Sequence, residues 1–564
     1  MSETQPATAA EALLQRLKHN GVDYLFANGG TDFPPVIEAF AKGATTGAPM
    51  PEVVITPHET AAVAMAHGYY LVTGRPQAVM VHVNVGLANC VMGLINAASD
   101  NIPMLMMSGR TPLTEHDRFG ARMTPINYGQ EMRDQTALVR ESVKWDYEMR
   151  YPEQAAILVD RALAIAMTEP RGPVYLSLPR EPLAEPWPAD RPVGGPAQPV
   201  PAAAQPDAAA VDEAAGMIAR AKFPLIIAQR GDPEGRLGAA LARLAGEQAI
   251  AVCDFWAIRS VLATDHPMHA GFDVGPLLER ADLVIVVDSP VPWIQKSQGP
   301  AAGAKVIHIG ADPMFSRTPV RSYPSDLHIA ADPAATLASI ADALAGSGGD
   351  VATRRDEIAS AGDKRRADLR ATAMKGSGSP MTPAYVTHCI SQAMDDDAVL
   401  FNELGIAPQF HYVRGANRCF TPPFSGGLGW GLPAAMGAAL ADRNRLAIAA
   451  VGDGSYTFAN PVACHQIAES HGLPVLTIVM NNGIWNAVRR ATLSMYPDGD
   501  AAQMNRIPVT SLEPTPDFTM IAAASRGWSE RVESGADLPA ALARAIAVVR
   551  NEKRQALLEI NVSV

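Results

Sequence analysis

Two buried strands joined by a single crossover constrain this chain more than any other feature. The run Leu446–Val451 (LAIAAV) is continuously apolar and stops at Gly452-Asp453-Gly454-Ser455. A helical stretch follows, from about Tyr456 to His471, and Leu473-Pro474 leads into a second apolar run, Val475–Met480, which stops at Asn481-Asn482. Apolar runs of this length without alternation fit strands buried on both faces of a parallel sheet. Gly454 and Asn481 are separated by the length of one helix plus one strand, the spacing of a βαβ crossover. Parallel strands place Asp453 and Asn482 at the same carboxyl edge, where ligands of open α/β sheets bind. A hard carboxylate oxygen and an amide oxygen, with room for water and phosphate oxygens, suit Mg²⁺. The glycines let the backbone approach a phosphate, and the helix start behind them offers free N–H groups to an anion. A GDG alone is usually a loop and an NN alone usually a turn; the pair across one crossover is far more specific.

The same alternation of apolar runs and Ala-rich helical segments fills the rest of the 564 residues, for example at Ala78–Val83, Leu225–Ala228, Leu283–Val287 and Val306–Ile309. The expected fold class is therefore α/β, with three doubly wound parallel-sheet domains in series. Two stretches too poor in apolar periodicity to be core read as linkers, one from about Glu185 to Pro206 and one from about Gly346 to Pro380, the second running through a charged helical segment. They delimit domains at 1–185, 206–345 and 381–564. The net charge of −12 without a basic tract argues against a nucleic-acid partner. Five scattered cysteines without a CxxC pair argue against a disulfide framework and for a reducing compartment. The N-terminus lacks a signal peptide's charged start and apolar run, and no apolar stretch reaches the roughly 20 residues that span a bilayer. The expectation is a cytoplasmic protein without a membrane partner.

The GDG and NN pair resembles the thiamine-diphosphate signature of the superfamily that holds pyruvate decarboxylases, acetolactate synthases and benzoylformate decarboxylases. The resemblance implies thiamine diphosphate and Mg²⁺ as cofactors. It implies that Asp453, Asn482 and the backbone carbonyl of Ile484 bind the metal. The backbone around Gly405-Ile406 and the Gly452-Asp453-Gly454-Ser455 turn would hold the diphosphate. In the first domain, Pro57-His58-Glu59-Thr60 follows a strand-like VVIT, and Gly68-Tyr69 and Thr73-Gly74-Arg75-Pro76 come after it. A Glu opening a helix is by itself ordinary capping. In this superfamily the Glu at that point faces the cofactor's pyrimidine ring, where a protonated carboxyl hydrogen-bonds N1′ and tunes a base that belongs to the cofactor. Ser425–Ala435 (SGGLGWGLPAA) resembles the family segment whose large apolar residue, here Leu428, wedges under the cofactor. Glu59 and the metal turn lie in different domains, which in this family meet across a subunit interface. The resemblance therefore implies an obligate homodimer, commonly a homotetramer.

Three residues are candidates for substrate contact. Phe26–Thr31 (FANGGT) resembles the first strand–loop of benzoylformate decarboxylase, with Thr31 at its substrate-contacting serine. His82 falls at that enzyme's active-site histidine, and a histidine at a strand end can shuttle protons near neutral pH; the alternative is a satisfied polar residue. Tyr128–Glu131 (YGQE) resembles the acetolactate synthase segment in which a Gln, here Gln130, reaches the cofactor side. The chain departs from pyruvate decarboxylases, which carry a paired His-His where this sequence has only His116, and a Glu where it has Val488. Ile484, Trp485 and Val488 are instead candidates to line an apolar pocket. Gly310 and the segment HAGFDVGP depart from the flavin-containing members, which tips against FAD without removing it. The expected activity is making or breaking a carbon–carbon bond beside a carbonyl, as a 2-oxo acid decarboxylase or carboligase. The alternatives are an acetolactate synthase, and a thiamine-diphosphate- or nucleotide-binding protein without chemistry.

Overall fold

The computed structural model describes residues 5–346 and 351–564. The Gly-Ser-Gly-Gly start of the second expected linker lies mostly outside the described residues. The chain divides into two compact units, one of residues 1–203 with 423–427, the other of 204–422 with 428–564.

The first unit carries a six-stranded sheet: β1 (Tyr24–Asn28), β2 (Glu52–Ile55), β3 (Ala78–Val81), β4 (Leu105–Arg110), β5 (Asp146–Glu148) and β6 (Val174–Pro179). Its order is β2-β1-β3-β4-β6-β5, and every pairing is parallel. Two helices frame its site: α1 (Glu59–Thr73) follows β2, and α2 (Val83–Ser99) follows β3. The second unit carries two further sheets. One is built from β7 (Pro224–Ala228), β8 (Ala251–Cys253), β9 (His269–Gly271), β10 (Leu283–Val287), β11 (Lys305–Gly310) and β12 (Leu327–Ala330), in the order β12-β11-β10-β7-β8-β9. The other is built from β13 (Val399–Glu403), β14 (Cys419–Phe420), β15 (Ala447–Gly452), β16 (Val475–Asn481), β17 (Trp528–Val532) and β18 (Ala556–Asn561), in the order β14-β13-β15-β16-β18-β17. All three sheets are parallel throughout, with Val, Ile, Leu and Ala at nearly zero exposure along the central strands. The expected α/β class and its three parallel sheets are found.

The first and third sheets share one strand order. In each, the chain steps from its first strand to one side, then crosses to the other side for its third. This reversal leaves a crevice at the carboxyl ends of β1 and β3 in the first sheet and of β13 and β15 in the third, where such sheets bind ligands. The candidate residues of both sheets cluster at these two crevices.

Three sequence expectations need correction. The stretch 185–206 is not excluded from the core: Trp187 and Val193 are buried in the first unit, and Arg16 donates to the carbonyls of Val193 and Gly195. An indole among prolines escaped a reading based on periodicity. The charged helical segment of the second linker is present as helix α3 (Ala352–Met374), but it is not excluded from the core: it buries Ile358 in the core of the middle sheet and lays Arg354 on the carbonyls of Ala249 and Gln248. The expected single helix after the GDG turn is two, as described below.

Candidate active site

In the third sheet, Glu403 ends β13 and organises the crevice. Both its oxygens accept backbone N–H groups, from Gly429 and from Gly431, each at 2.6 Å. These residues lead into helix α4 (Gly431–Ala441). Glycine is required on both sides of the carboxylate: a Cβ at Gly431 would sit 2.9 Å from the Glu403 Cβ, and one at Gly429, which has φ +89°, would sit 2.5 Å from the Phe458 carbonyl oxygen. Leu428 lies half-buried in the same segment. Burial pushes the Glu403 carboxyl up to about 7 from an ordinary 4.5, outweighing the N–H bonds that favour its charged form. A carboxyl raised on folding contributes stability that is complete below about pH 4.5 and is lost as pH rises through about 7. Glu403→Gln removes that dependence. It also sets an amide donor against a backbone donor, at a cost of about 1–3 kcal/mol. The expected result is a lower unfolding temperature at acid pH, and a smaller fall on going to about pH 8 than in the parent; parallel curves would refute this account.

The turn after β13 is wound tightly. Asn402 Oδ1 accepts the N–H groups of Gly405 and Ile406, both at 3.0 Å, and Leu404 takes the left-handed φ of +60°. A Cβ at Gly405 would lie 2.3 Å from the Ala450 carbonyl carbon, so only glycine lets this turn rest against β15. Gly405 and Ile406 thus give their N–H groups to Asn402 and shape the crevice wall.

Asp453 begins helix α5 (Asp453–Phe458), directly after β15. The helix is six residues long; Asn460, at φ +52°, and Pro461 break the chain before helix α6 (Pro461–Ser470). Proline at the first position starts a new helix and cannot continue the old one. Asp453 is buried, and its carboxylate spans the two strand ends: Oδ1 accepts from Gly454 N at 2.8 Å, and Oδ2 from Gly483 N at 2.7 Å and Asn482 N at 3.3 Å. Asn482 Oδ1 accepts from Ile484 N at 3.1 Å, and the Ile484 carbonyl accepts from Asn486 N at 2.9 Å. Gly454 makes room for the indole of Trp485, which would meet a Cβ there at 2.2 Å. Ile484 and Trp485 are half-buried beside the turn, whereas Val488 is exposed on helix α7 (Asn486–Met495). Burial raises the Asp453 carboxyl above its ordinary range, and no Lys or Arg pairs with it among the described residues. A buried carboxylate held only by N–H groups, next to an amide and a carbonyl oxygen, is a donor set that fits a hard divalent cation.

In the first sheet, Glu59 is the first residue of α1, capped by His58, whose Nδ1 accepts from Thr60 N at 3.3 Å. Asn89 Nδ2, on α2, donates to Glu59 Oε2 at 3.0 Å. Glu59 Oε1 lies over Gly86, where a Cβ would come within 3.2 Å of it. One carboxyl oxygen is thus anchored, and the other lies over a residue that presents no side chain. This fits a carboxyl that shares a proton with a flat heterocycle. Close by, Asp32 Oδ1 lies 2.5 Å from His82 Nδ1, and Gln130 Nε2 lies 3.0 Å from His82 Nε2. His82 and Gln130, drawn from different parts of the sequence, are therefore in direct contact. Thr31 is exposed in the loop after β1, its carbonyl held by Arg180 Nη1 at 2.9 Å. Asp32 and Asn89 were not singled out by sequence; Asp32 stands one residue past the segment quoted for Thr31.

Three family models match the chain in order: the thiamine pyrophosphate enzyme N-terminal TPP binding domain over residues 7–138, the central domain over 211–340, and the C-terminal TPP binding domain over 404–560. The chain belongs to the thiamine pyrophosphate enzymes. Its relatives within that family include a benzoylformate decarboxylase of Pseudomonas aeruginosa, 27% identical over 509 residues that cover 86% of this chain and 87% of the relative. A probable acetolactate synthase of Mycobacterium bovis is 26% identical, over 97% of this chain and 95% of the relative. Among solved structures, the 4-hydroxybenzoylformate decarboxylase of Rhodococcus jostii RHA1 superposes with a TM-score of 0.78 at 23% identity, covering 99% of both chains. The match spans the whole thiamine pyrophosphate enzyme fold, middle sheet included. There Gln229, just past β7, ties together the loops after β8 and β10: its Nε2 donates to the carbonyls of Phe255 and Val291, and its Oε1 accepts from Val291 N. Among the described residues, no helix is long and apolar enough to cross a membrane.

Proposed function

We propose that this thiamine pyrophosphate enzyme is a Mg²⁺-dependent 2-oxo acid decarboxylase or carboligase that acts as a homodimer or homotetramer. The observation that carries the reading is the arrangement of Glu59, one oxygen tied to Asn89 and the other over Gly86. When bound, the cofactor supplies a carbon nucleophile and an electron sink beside the substrate carbonyl. Glu59 holds the proton at the pyrimidine nitrogen N1′. Asp453, the side-chain oxygen of Asn482 and the carbonyl of Ile484 hold the metal. Gly452, Gly454 and Ser455 receive the diphosphate, with Gly405 and Ile406 forming the opposite wall and Leu428 the support beneath the rings. Gln130 and Thr31 face the substrate, with His82 behind Gln130.

Incubation with a panel of 2-oxo acids, with and without an aldehyde acceptor, tests the reading. CO₂ release that requires both thiamine diphosphate and Mg²⁺ is expected; no release from any member refutes it. The second reading, an acetolactate synthase, is favoured by Gln130 and by the mycobacterial relative. It requires acetolactate from pyruvate. The buried Gln229, which ties the loops after β8 and β10 to each other, supports a middle domain without FAD, so the purified protein is expected to be colourless.

A further inference from the structure

Three loops at the carboxyl edge of the first sheet bring together side chains that no single motif contains. Asp32 follows β1, His82 follows β3, and Gln130 lies beyond β4. We infer that Asp32 is a positioning residue that fixes His82 as its Nδ1–H tautomer and thereby leaves the Gln130 carboxamide oxygen as an acceptor for a hydroxyl or N–H donor on the side chain of the bound 2-oxo acid. The inference deepens the proposed function and rests on it for the substrate.

The chemistry of the contacts dictates the direction of each hydrogen. An ionised carboxylate only accepts, so the 2.5 Å contact to Asp32 Oδ1 puts the ring proton on His82 Nδ1. The neutral ring then offers a lone pair at Nε2, which accepts from Gln130 Nε2 at 3.0 Å. Turning the carboxamide over would set oxygen against a lone pair. The orientation of Gln130 therefore follows from the tautomer, and the tautomer from Asp32. The far end of the relay is open: Gln130 Oε1 is buried and has no hydrogen-bond partner among the described residues.

The surroundings are built for this pair. A Cβ at Gly30 would lie 2.1 Å from His82 Nδ1, and one at Gly109 would lie 1.6 Å from Asp32 Oδ2, so two glycines make the space that ring and carboxylate occupy. Asp32 is 2% exposed. Its second oxygen accepts from Val83 N at 3.2 Å, and Val83 is held at φ +30°, a conformation rare for a β-branched residue. One carboxylate thus sets both the ring and the backbone that carries it. Strain of this kind gathers where geometry serves function.

Asp32→Asn keeps the shape and reverses the relay, because its amide N–H donates to Nδ1 and drives the ring proton to Nε2. Ring-¹⁵N spectra of histidine-labelled protein read this without substrate, the His82 signal being assigned by its loss in His82→Gln. The parent is expected as Nδ1–H, Asp32→Asn as Nε2–H, and Gln130→Leu as Nδ1–H. On a substrate identified by the panel, kcat of Asp32→Asn is expected to fall about 100-fold or more with KM changed less than about threefold. Gln130→Leu is expected to raise KM. A parent in the Nε2–H form, or an Asp32→Asn ring that keeps Nδ1–H, overturns the inference, and the parent spectrum decides even if the variant does not fold. A chain that turns over nothing in the panel refutes the proposed function instead, and the spectra still decide the role of Asp32.

Discussion

Replacing Glu59 with Gln is expected to lower kcat/KM on the preferred 2-oxo acid by about 10²–10⁴-fold, the range lost with a positioned acid–base group. The substitution is nearly isosteric. Its amide oxygen can still accept from Asn89 Nδ2, so the start of α1 keeps its anchor. What is lost is the proton that a carboxyl holds and releases at the pyrimidine nitrogen. The turn proposed to hold the metal lies in the other compact unit. Mg²⁺-dependent affinity for thiamine diphosphate, measured by calorimetry, is therefore expected to stay within about tenfold while turnover collapses. Undiminished turnover on every 2-oxo acid tested would show that Glu59 caps a helix and does nothing more.

Asp453→Asn should fail in the opposite way. The amide oxygen can still accept one of the N–H groups from Gly454, Asn482 and Gly483, but the negative charge is gone and a donor now faces donors. Loss of an outer partner of a metal site typically costs 10–100-fold in affinity, so loss of the one charged ligand should cost more than about 100-fold. In the parent, thiamine diphosphate with Mg²⁺ at about 100 times its Kd should stabilise the fold by about 2.7 kcal/mol, seen as a rise in unfolding temperature. Asp453→Asn should be stabilised by at most about 0.4 kcal/mol at the same concentrations. An equal rise in both proteins, or a parent whose rise survives chelation of divalent cations, would rule out the metal role.

What could be read from the sequence was local. The β15–β16 crossover announced itself through apolar runs and turn residues, and the two strands pair in parallel with Gly452 opposite Met480, bringing Asp453 to Asn482. Glu59 was legible because it opens a helix directly after a strand. Asp32 was hidden because its partner lies 50 residues away. Only the placement of β1 beside β3 joins them, and strand order is not a periodicity. Hints stood in Gly29-Gly30 and in Ser108-Gly109, since small residues at strand ends mark close approach. Pro461 also carried a signal that went unused: a helix drawn through it required its ring to fit where it cannot. The pairing of His82 with Gln130 reconciles two leanings that pulled apart in the sequence, one toward benzoylformate decarboxylases and one toward acetolactate synthases.

The five residues 423–427 belong to the first unit although they lie more than 200 positions beyond its main body. Asn96, buried on α2, accepts from Ser425 Oγ at 2.6 Å and from Gly427 N at 3.1 Å, and its Nδ2 donates to the Gly427 carbonyl at 2.9 Å. A Cβ at Gly427 would press on Met92 Sδ at 2.5 Å. During synthesis, then, the N-terminal sheet leaves the ribosome with one seam unclosed, and the closing stitch emerges only after the whole middle sheet has been made. A fragment ending at residue 203 would be an unfinished object, while a peptide spanning 423–427 would be the smallest addition that completes it.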